Sequence, residues 1–379
     1  MRGFTRKRGN THTAYWSSID PATGKRRQHS KGGFPTKKAA NDYLNGVVSK
    51  VAEGSWKPDQ ALTVRQLLED HWLPAQQSRG LKPSTLAQYR DVVSAWLVPN
   101  VGAMRATAIT PKAVQELVET LRTTRTAQRR AGLSPRSLQL TVGTLKAAFA
   151  YGVEAGLLGR NPIASVRRPS VEQRPPTTWS ETDARAFLTA TADDRLAGMW
   201  ALALTRGLRR GELCGLRWSA LDLDAGTLQV VHTLVMVDGH PVESTPKTKT
   251  GRRTVPLDGS LVSLLRARST AQKTERLRAG TAWAGGGYVF TDELGRPYSP
   301  EYVSERFEQL LQAASLPRIR LHDTRHTAAT LMLAAGVNPK VVQEMLGHSH
   351  VSITLGIYGH VTPSMGREAG AALSASLLG

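Results

Sequence analysis

At 379 residues the chain is long enough for two or three compact domains, each with its own core. Lys and Arg number 50 against 30 Asp and Glu, a net charge of +20, which points to a polyanionic partner, nucleic acid first. Cys214 is the only cysteine, so an intrachain disulfide and a thiolate zinc cluster are excluded, which suits a reducing cytosol.

The first ten residues are basic but lack the apolar core of an export signal, and no stretch is apolar enough to span a membrane, so a cytosolic chain is expected. From Thr13 the sequence "TAYWSSIDPATGKRRQHSKGGF" reads as a hairpin: an alternating strand, a turn over Asp20 to Lys25, and a polar strand ending at Gly32 and Gly33. Thr36 can then cap a helix in "TKKAANDYLNGVVSKVAEG". Residues 1–60 hold 12 basic and 4 acidic side chains, with Tyr15 and Trp16 among them, a composition that favours DNA contact over a merely solvated face. Arg26, Arg27 and Lys31 are its candidate DNA ligands.

Residues 61–174 have helical periodicity throughout, with 16 basic and 7 acidic residues. Ser134 and Pro135 form a cap and first-turn pair, after which Leu138, Val142, Leu145, Phe149 and Val153 make one apolar stripe. The aperiodic "GRNPIASVRRPSVEQRPPTTW" reads as a linker. Residues 175–379 carry 22 basic and 19 acidic residues, so most of the net charge lies outside them. Here Ser180 is an expected cap, helices run to about Leu221, strands fall near 227–237 and 253–257, and helices resume from about residue 300.

This last segment holds four informative pieces. "RGLRRGELCGLRW" puts Arg209 and Glu212 three apart; "TPKTKTGRRTVPL" puts Lys247 and Lys249 in a polar turn between strands; "LHDTRHT" puts His322 and Arg325 three apart; and "LGHSHVSITLGIYGH" supplies His348 and, ten positions on, Tyr358. In this order they resemble the tyrosine recombinase family, and the likeness to phage-type integrases covers nearly the whole chain. The resemblance implies a multidomain, mainly α protein with small β elements. Its parts would be an arm-type DNA-binding domain at 1–60 made of a small β-sheet and a helix, an all-helical core-binding domain at 61–166, a linker at 167–178 and a mixed α+β catalytic domain at 179–379. It departs from the family at Arg206, where a Thr usually precedes the first-box glycine, so a hydroxyl contact from that position is missing.

The resemblance makes Tyr358 the nucleophile, with Arg209, Lys247, His322, Arg325 and His348 as the other catalytic residues. Elementary chemistry agrees with that set. Attack on a phosphodiester spreads negative charge over the equatorial oxygens, and without a metal fixed cations must balance it. Guanidinium groups remain charged and present paired donors that match a phosphate, as Arg209 and Arg325 would. Glu212, one helical turn from Arg209, can hold that guanidinium in place. A tyrosine with a pKa near 10 needs a proton acceptor at neutral pH, for which His322 is the first candidate, with His348 on a phosphate oxygen; the two roles could be shared or exchanged. The family pattern of Lys-Thr before a basic strand favours Lys247 as the acid that protonates the departing 5′-oxygen; Lys249 is the other candidate for that role and is also a candidate DNA ligand.

No metal site is expected. His322 and His326 lie four apart, but Arg325 stands between them and opposes a divalent cation, while His348, His350 and His360 have no cysteine or carboxylate cluster beside them. His326, His350 and His360 read as local contacts. No nucleotide cofactor is implied either, because no phosphate-cradling Gly-rich loop with a following Lys and Ser or Thr is present. The partners implied are double-stranded DNA at core and arm sites, three further copies of the chain in a tetramer, an excisionase and a host DNA-bending protein. Two competing readings are a type IB topoisomerase and a DNA-binding regulator on a recombinase-like fold; the basic segment 1–60 and the full set of catalytic elements favour the integrase.

Overall fold

The computed structural model describes residues 3–19, 26–52, 62–124, 132–171, 177–246, 249–351, 371, 374–375 and 378. The chain divides into two compact units, Met1–Glu172 and Gln173–Gly379.

The first unit opens with a three-stranded antiparallel sheet in the order β1 (Phe4–Arg8), β2 (Thr11–Ile19), β3 (Arg26–Phe34). The antiparallel pairing of β2 with β3 matches the sequence expectation, while the turn over Asp20 to Lys25 lies outside the described residues; β1 is an addition to the expected elements. A two-residue turn joins β1 to β2, and Gly9 takes its positive φ of 57° at no steric cost. The strand β3 also runs through Gly32 and Gly33 instead of stopping there. The register shifts opposite His12 and Ala14, a bulge in which Gly33 adopts φ 88° and returns Phe34 to the face that packs on the helix.

Helix α1 (Lys37–Ala52) is capped as expected, Thr36 Oγ1 accepting the Ala39 N–H at 3.1 Å. It covers one face of the sheet, where Ala14 and Trp16 pack against Leu44 and Val47. Strand alternation puts Phe4, Arg6 and Arg8 on the other face, beside Tyr15, Arg26 and Gln28.

A separate helical core follows. Helix α2 covers 64–78 and α3 covers 83–101, and each is π-wound for part of its length, at Leu67–Trp72 and Val93–Leu97. Each wide stretch ends just ahead of an internal proline, Pro74 or Pro99. A proline ring inside an α-helix clashes with the carbonyl four residues back, and the wider turn relieves that clash. Helices α4 (Pro111–Thr123) and α5 (Pro135–Glu154) complete the core, the latter capped by Ser134. Leu138, Val142, Leu145 and Phe149 are buried as the stripe requires, whereas Val153 is 37% exposed at the helix end. Part of the expected linker also belongs to this core: Ile163 and Val166 are buried, Lys146 Nζ donates to the Ala164 carbonyl at 2.9 Å and to that of Val166, and Gln139 reaches the Pro169 carbonyl.

The second unit is built on α6 (Glu181–Ala190), capped by Ser180 as expected, and α7 (Ala197–Thr205), a helix buried on nearly every side. Phe187, Trp200, Phe307 and Trp179 form an aromatic cluster in its core. The short α8 (Arg210–Cys214) leads into two small sheets. β4 (Leu221–Asp222), β5 (Thr227–Val230) and β8 (Arg253–Pro256) form one, and β6 (Thr233–Val237) and β7 (His240–Ser244) form the other. The expected strands near 227–237 are β5 and β6, which belong to different sheets, and the polar turn between strands runs from β7 of one sheet to β8 of the other. Helix α9 (Gly259–Ala279), absent from the sequence expectation, precedes α10 (Pro300–Ala313), α11 (Asp323–Ala334) and α12 (Pro339–Leu346). Among the described residues no helix is long and apolar enough to cross a membrane.

Candidate active site

Arg209 stands at the mouth of α8 in extended conformation, φ −70° and ψ 150°, and so lies just before the helix rather than inside it. Glu212, three residues on and 2% exposed, reaches back: its carboxylate accepts the Arg209 N–H at 2.9 Å and Nη1 at 2.7 Å. Arg253, the first residue of β8, places its fork on the same carboxylate at 3.0 and 3.2 Å. Burial would raise the Glu212 pKa; the Arg253 hydrogen bonds and the charges of Arg253 and Arg209 outweigh it and hold the carboxyl below its usual range.

The C-terminus of α12 organises the rest. A helix end leaves carbonyls without intrahelical partners and carries partial negative charge. Here the carbonyls of Met345, Leu346 and Gly347 accept from Arg253, Arg325 and Arg209 respectively. Gly347 closes the helix in left-handed conformation, φ 66°, and a Cβ there would lie 2.8 Å from the Thr250 carbonyl and 3.1 Å from Arg253, so glycine is needed for both shape and room.

Arg325 lies in the first turn of α11 and is 3% exposed. Its Nη1 donates to the Gly207 carbonyl at 2.7 Å and its Nη2 to that of Leu346, leaving other N–H groups of the guanidinium for a ligand. Burial, reinforced by the Arg209 charge, pushes its pKa down to about 9, still charged at neutral pH. His348 follows Gly347 directly and is 8% exposed; its backbone is locked by exchange with Gln343, N–H to carbonyl at 3.1 Å and Gln343 Nε2 to the His348 carbonyl at 3.0 Å. Burial and the charges of Arg325 and Arg209 push its imidazole down to about 3.

His322 precedes α11 and is exposed, its ring edge-on to His326 with centroids 5.4 Å apart. The surrounding protein, then the His326 and Arg325 charges, lower its pKa. His326 is half-buried, and its Nδ1 has no hydrogen-bond partner among the described residues. Arg206 is tied into the scaffold, donating to the Pro256 carbonyl at 2.8 Å and to Asp258, the cap of α9.

Arg209, Glu212, Arg325 and His348 thus share one locus. Arg253, missed in the sequence reading, belongs to it, and its partner Glu212 lies 41 positions away, so no local spacing could have found it. Lys247 and Tyr358 lie outside the described residues, as do His360 and the side chains of Arg27 and Lys249. Of the arm candidates, Arg26 is on the uncovered sheet face and donates to Ser17 at 2.9 Å, whereas Lys31 sits over the Tyr43 ring of α1 at 4.5 Å. Chemically, the locus offers guanidinium donors, a neutral imidazole and a buried carboxylate that orients them, a set suited to an anion of phosphate geometry.

Residues 180–365 match the phage integrase family and residues 4–51 match the arm DNA-binding domain. A tyrosine recombinase XerC-like protein of Caldanaerobacter subterraneus subsp. tengcongensis is 31% identical over 351 residues, 86% of this chain and 87% of its own. An integrase of Saccharopolyspora erythraea is 27% identical over 361 residues, 82% of this chain and 81% of its own. Among solved structures, the Tn1549 transposon integrase in complex with transposon right end DNA aligns with a TM-score of 0.64 at 23% identity, covering 84% of this chain and 100% of that one. A lambda integrase tetramer bound to a Holliday junction aligns with a TM-score of 0.55 at 19% identity, covering 94% of each chain. With a core of buried guanidiniums and these relatives, the chain belongs to the phage integrase family of tyrosine recombinases, enzymes of site-specific recombination that cleave and rejoin DNA.

Proposed function

We propose that this integrase cuts each strand by attack of the Tyr358 phenolic oxygen on the scissile phosphorus. The bond to the 5′-oxygen breaks, leaving a 3′-phosphotyrosyl link and a free 5′-hydroxyl, and the reverse attack by a 5′-hydroxyl of the partner duplex releases the tyrosine. Exchange of one strand pair, then the other, passes through a Holliday junction in a tetramer of the chain. Bond energy is conserved in the phosphotyrosine. The observation that carries this reading is the convergence of Arg209, Arg325 and His348 on the end of α12.

The two guanidiniums balance the charge that grows on the non-bridging oxygens. His348, with a pKa near 3, is a weak proton acceptor, which favours it as a neutral hydrogen-bond donor to a phosphate oxygen. His322 then takes the Tyr358 proton and Lys247 supplies one to the departing 5′-oxygen. Residues 1–60 act as the arm-binding domain, 61–166 as the core-binding domain, 167–178 as linker and 179–379 as catalytic domain. The basic face of the sheet suits contact with arm DNA through Arg26 and its neighbours. An excisionase and a host DNA-bending protein set the direction of integration or excision of a mobile element, in the bacterial cytosol.

The test is adduct formation. DNA junctions recovered by sequencing from cells expressing the chain define its site, and a nicked oligonucleotide of that site traps the covalent intermediate. Tyr358→Phe should bind this DNA as the wild type does and form no adduct. Normal adduct yield from Tyr358→Phe would end the assignment.

A further inference from the structure

We propose that Arg253 is a positioning residue for cleavage: through Glu212 it sets the Arg209 guanidinium, and it ties the turn at Thr250 and Gly251 to the helix end that precedes His348. This rests on the reading of the site as a phosphotyrosyl-transfer centre.

The geometry of Arg253 is that of a junction. Its side chain is 6% exposed, and every guanidinium nitrogen is engaged: Nε on the Met345 carbonyl, Nη1 on the Gly251 carbonyl at 3.1 Å and on Glu212, Nη2 on Glu212 at 3.0 Å. Four of its five N–H donors are thereby used, so it is built to hold protein and not phosphate. The next turn upstream, Lys249–Gly251, is packed against the same helix end, since the Thr250 carbonyl closes on Gly347.

Charge gives this arrangement its purpose. A carboxylate 2% exposed and paired only with Arg209 would neutralise the cation meant for the phosphate. Arg253 supplies the compensating charge, so Glu212 can orient Arg209 while the positive charges of Arg209 and Arg325 remain unbalanced toward a ligand. The fork matters as well as the charge. A lysine could neutralise Glu212, but it could not grip both carboxylate oxygens and the Met345 carbonyl at once.

The test compares Arg253→Lys, Arg253→Met and wild type on the nicked site oligonucleotide, with either a normal scissile phosphate or a neutral methylphosphonate there. Single-turnover cleavage of normal DNA should fall by about tenfold or more in both variants, with unchanged DNA affinity. On the methylphosphonate, where less charge develops, the defect should shrink, as it should for Arg209→Ala. In a Glu212→Gln background, which removes the buried charge together with its partner, Arg253→Met should add less than about threefold, because the two act as one unit. Equal losses on both substrates, additive effects, or wild-type rates would each overturn the inference. Failure of the wild-type chain to form an adduct would instead overturn the reading of the site beneath it.

Discussion

Arg325 donates from Nη1 to the carbonyl of Gly207 at 2.7 Å, a hydrogen bond that spans 118 positions of chain. It fixes the turn from which Arg209 projects to the helix that carries Arg325, so the two cations are held in register by backbone as well as by side chain.

Gly207 should therefore tolerate no side chain. Its φ is 60°, and a Cβ would lie 2.4 Å from Leu346 Cδ2 and 3.5 Å from Arg325 Cγ. Gly207→Ala is expected to cost about 1–3 kcal/mol of stability and to slow cleavage, since backbone strain and overpacking fall on the same spot. Thermal unfolding with single-turnover cleavage measures both; a melting temperature and rate equal to wild type would refute it.

His348 should stay neutral where exposed histidines titrate. Its pKa lies near 3 in the fold against 6.5 as the ordinary value, so between these limits the unfolded chain binds the proton that the folded chain refuses. Stability from this residue is thus full above pH 6.5 and is lost as pH falls toward 3. Imidazole resonances followed from pH 8 to 5 should include one that does not shift and that is absent in His348→Asn. A His348 midpoint near 6.5 would contradict the burial described for it.

Lys247 and Lys249 are separable by the leaving group. An alkoxide needs a proton as it departs, but sulfur at the 5′ bridging position does not. Lys247→Ala should be severely slowed on normal DNA and restored toward wild type by the 5′-phosphorothiolate. Lys249→Ala should show a smaller defect without rescue. The reverse pattern would transfer the acid to Lys249.

The arm sheet should bind DNA with the face that α1 leaves uncovered. Arg6 and Arg8 are exposed there, opposite Thr13 and Thr11. Alanine at either should lower the salt slope of full-chain binding to duplex DNA by about one, whereas Lys31→Ala, removed from its place over Tyr43, should leave the slope unchanged. A loss of slope with Lys31→Ala alone would put DNA on the other edge of the sheet.

Much of this architecture was legible because local signals were strong. Ser134 with Pro135, Ser180 and Thr36 mark helix starts by side-chain chemistry, and each caps as read. What escaped depends on partners distant in sequence. β1 is "FTRKR", a run whose charge hides its alternation. In α9 the buried stripe continues from Leu261 and Leu265 into Arg268 and Gln272, polar groups satisfied by the 288–291 backbone, Thr291 and Glu275, so the apolar period breaks. Arg209, Glu212, Arg325 and His348 were found as motif members, and the structure adds how they meet, at carbonyls that carry no side-chain signature at all. Ile163 and Val166 looked like linker because two apolar residues among prolines and arginines have no period to reveal the helix they cover.

Cys214 has one practical consequence for watching this enzyme at work. It is fully buried in α8, and burial pushes its thiol up to about 12, so it presents almost no thiolate to a reagent. A cysteine introduced at the exposed Ser30 of the arm sheet would be the one reactive thiol in an otherwise native chain. A fluorophore attached there could report, molecule by molecule, when the arm engages and leaves its DNA, with no need to strip out the native residue first.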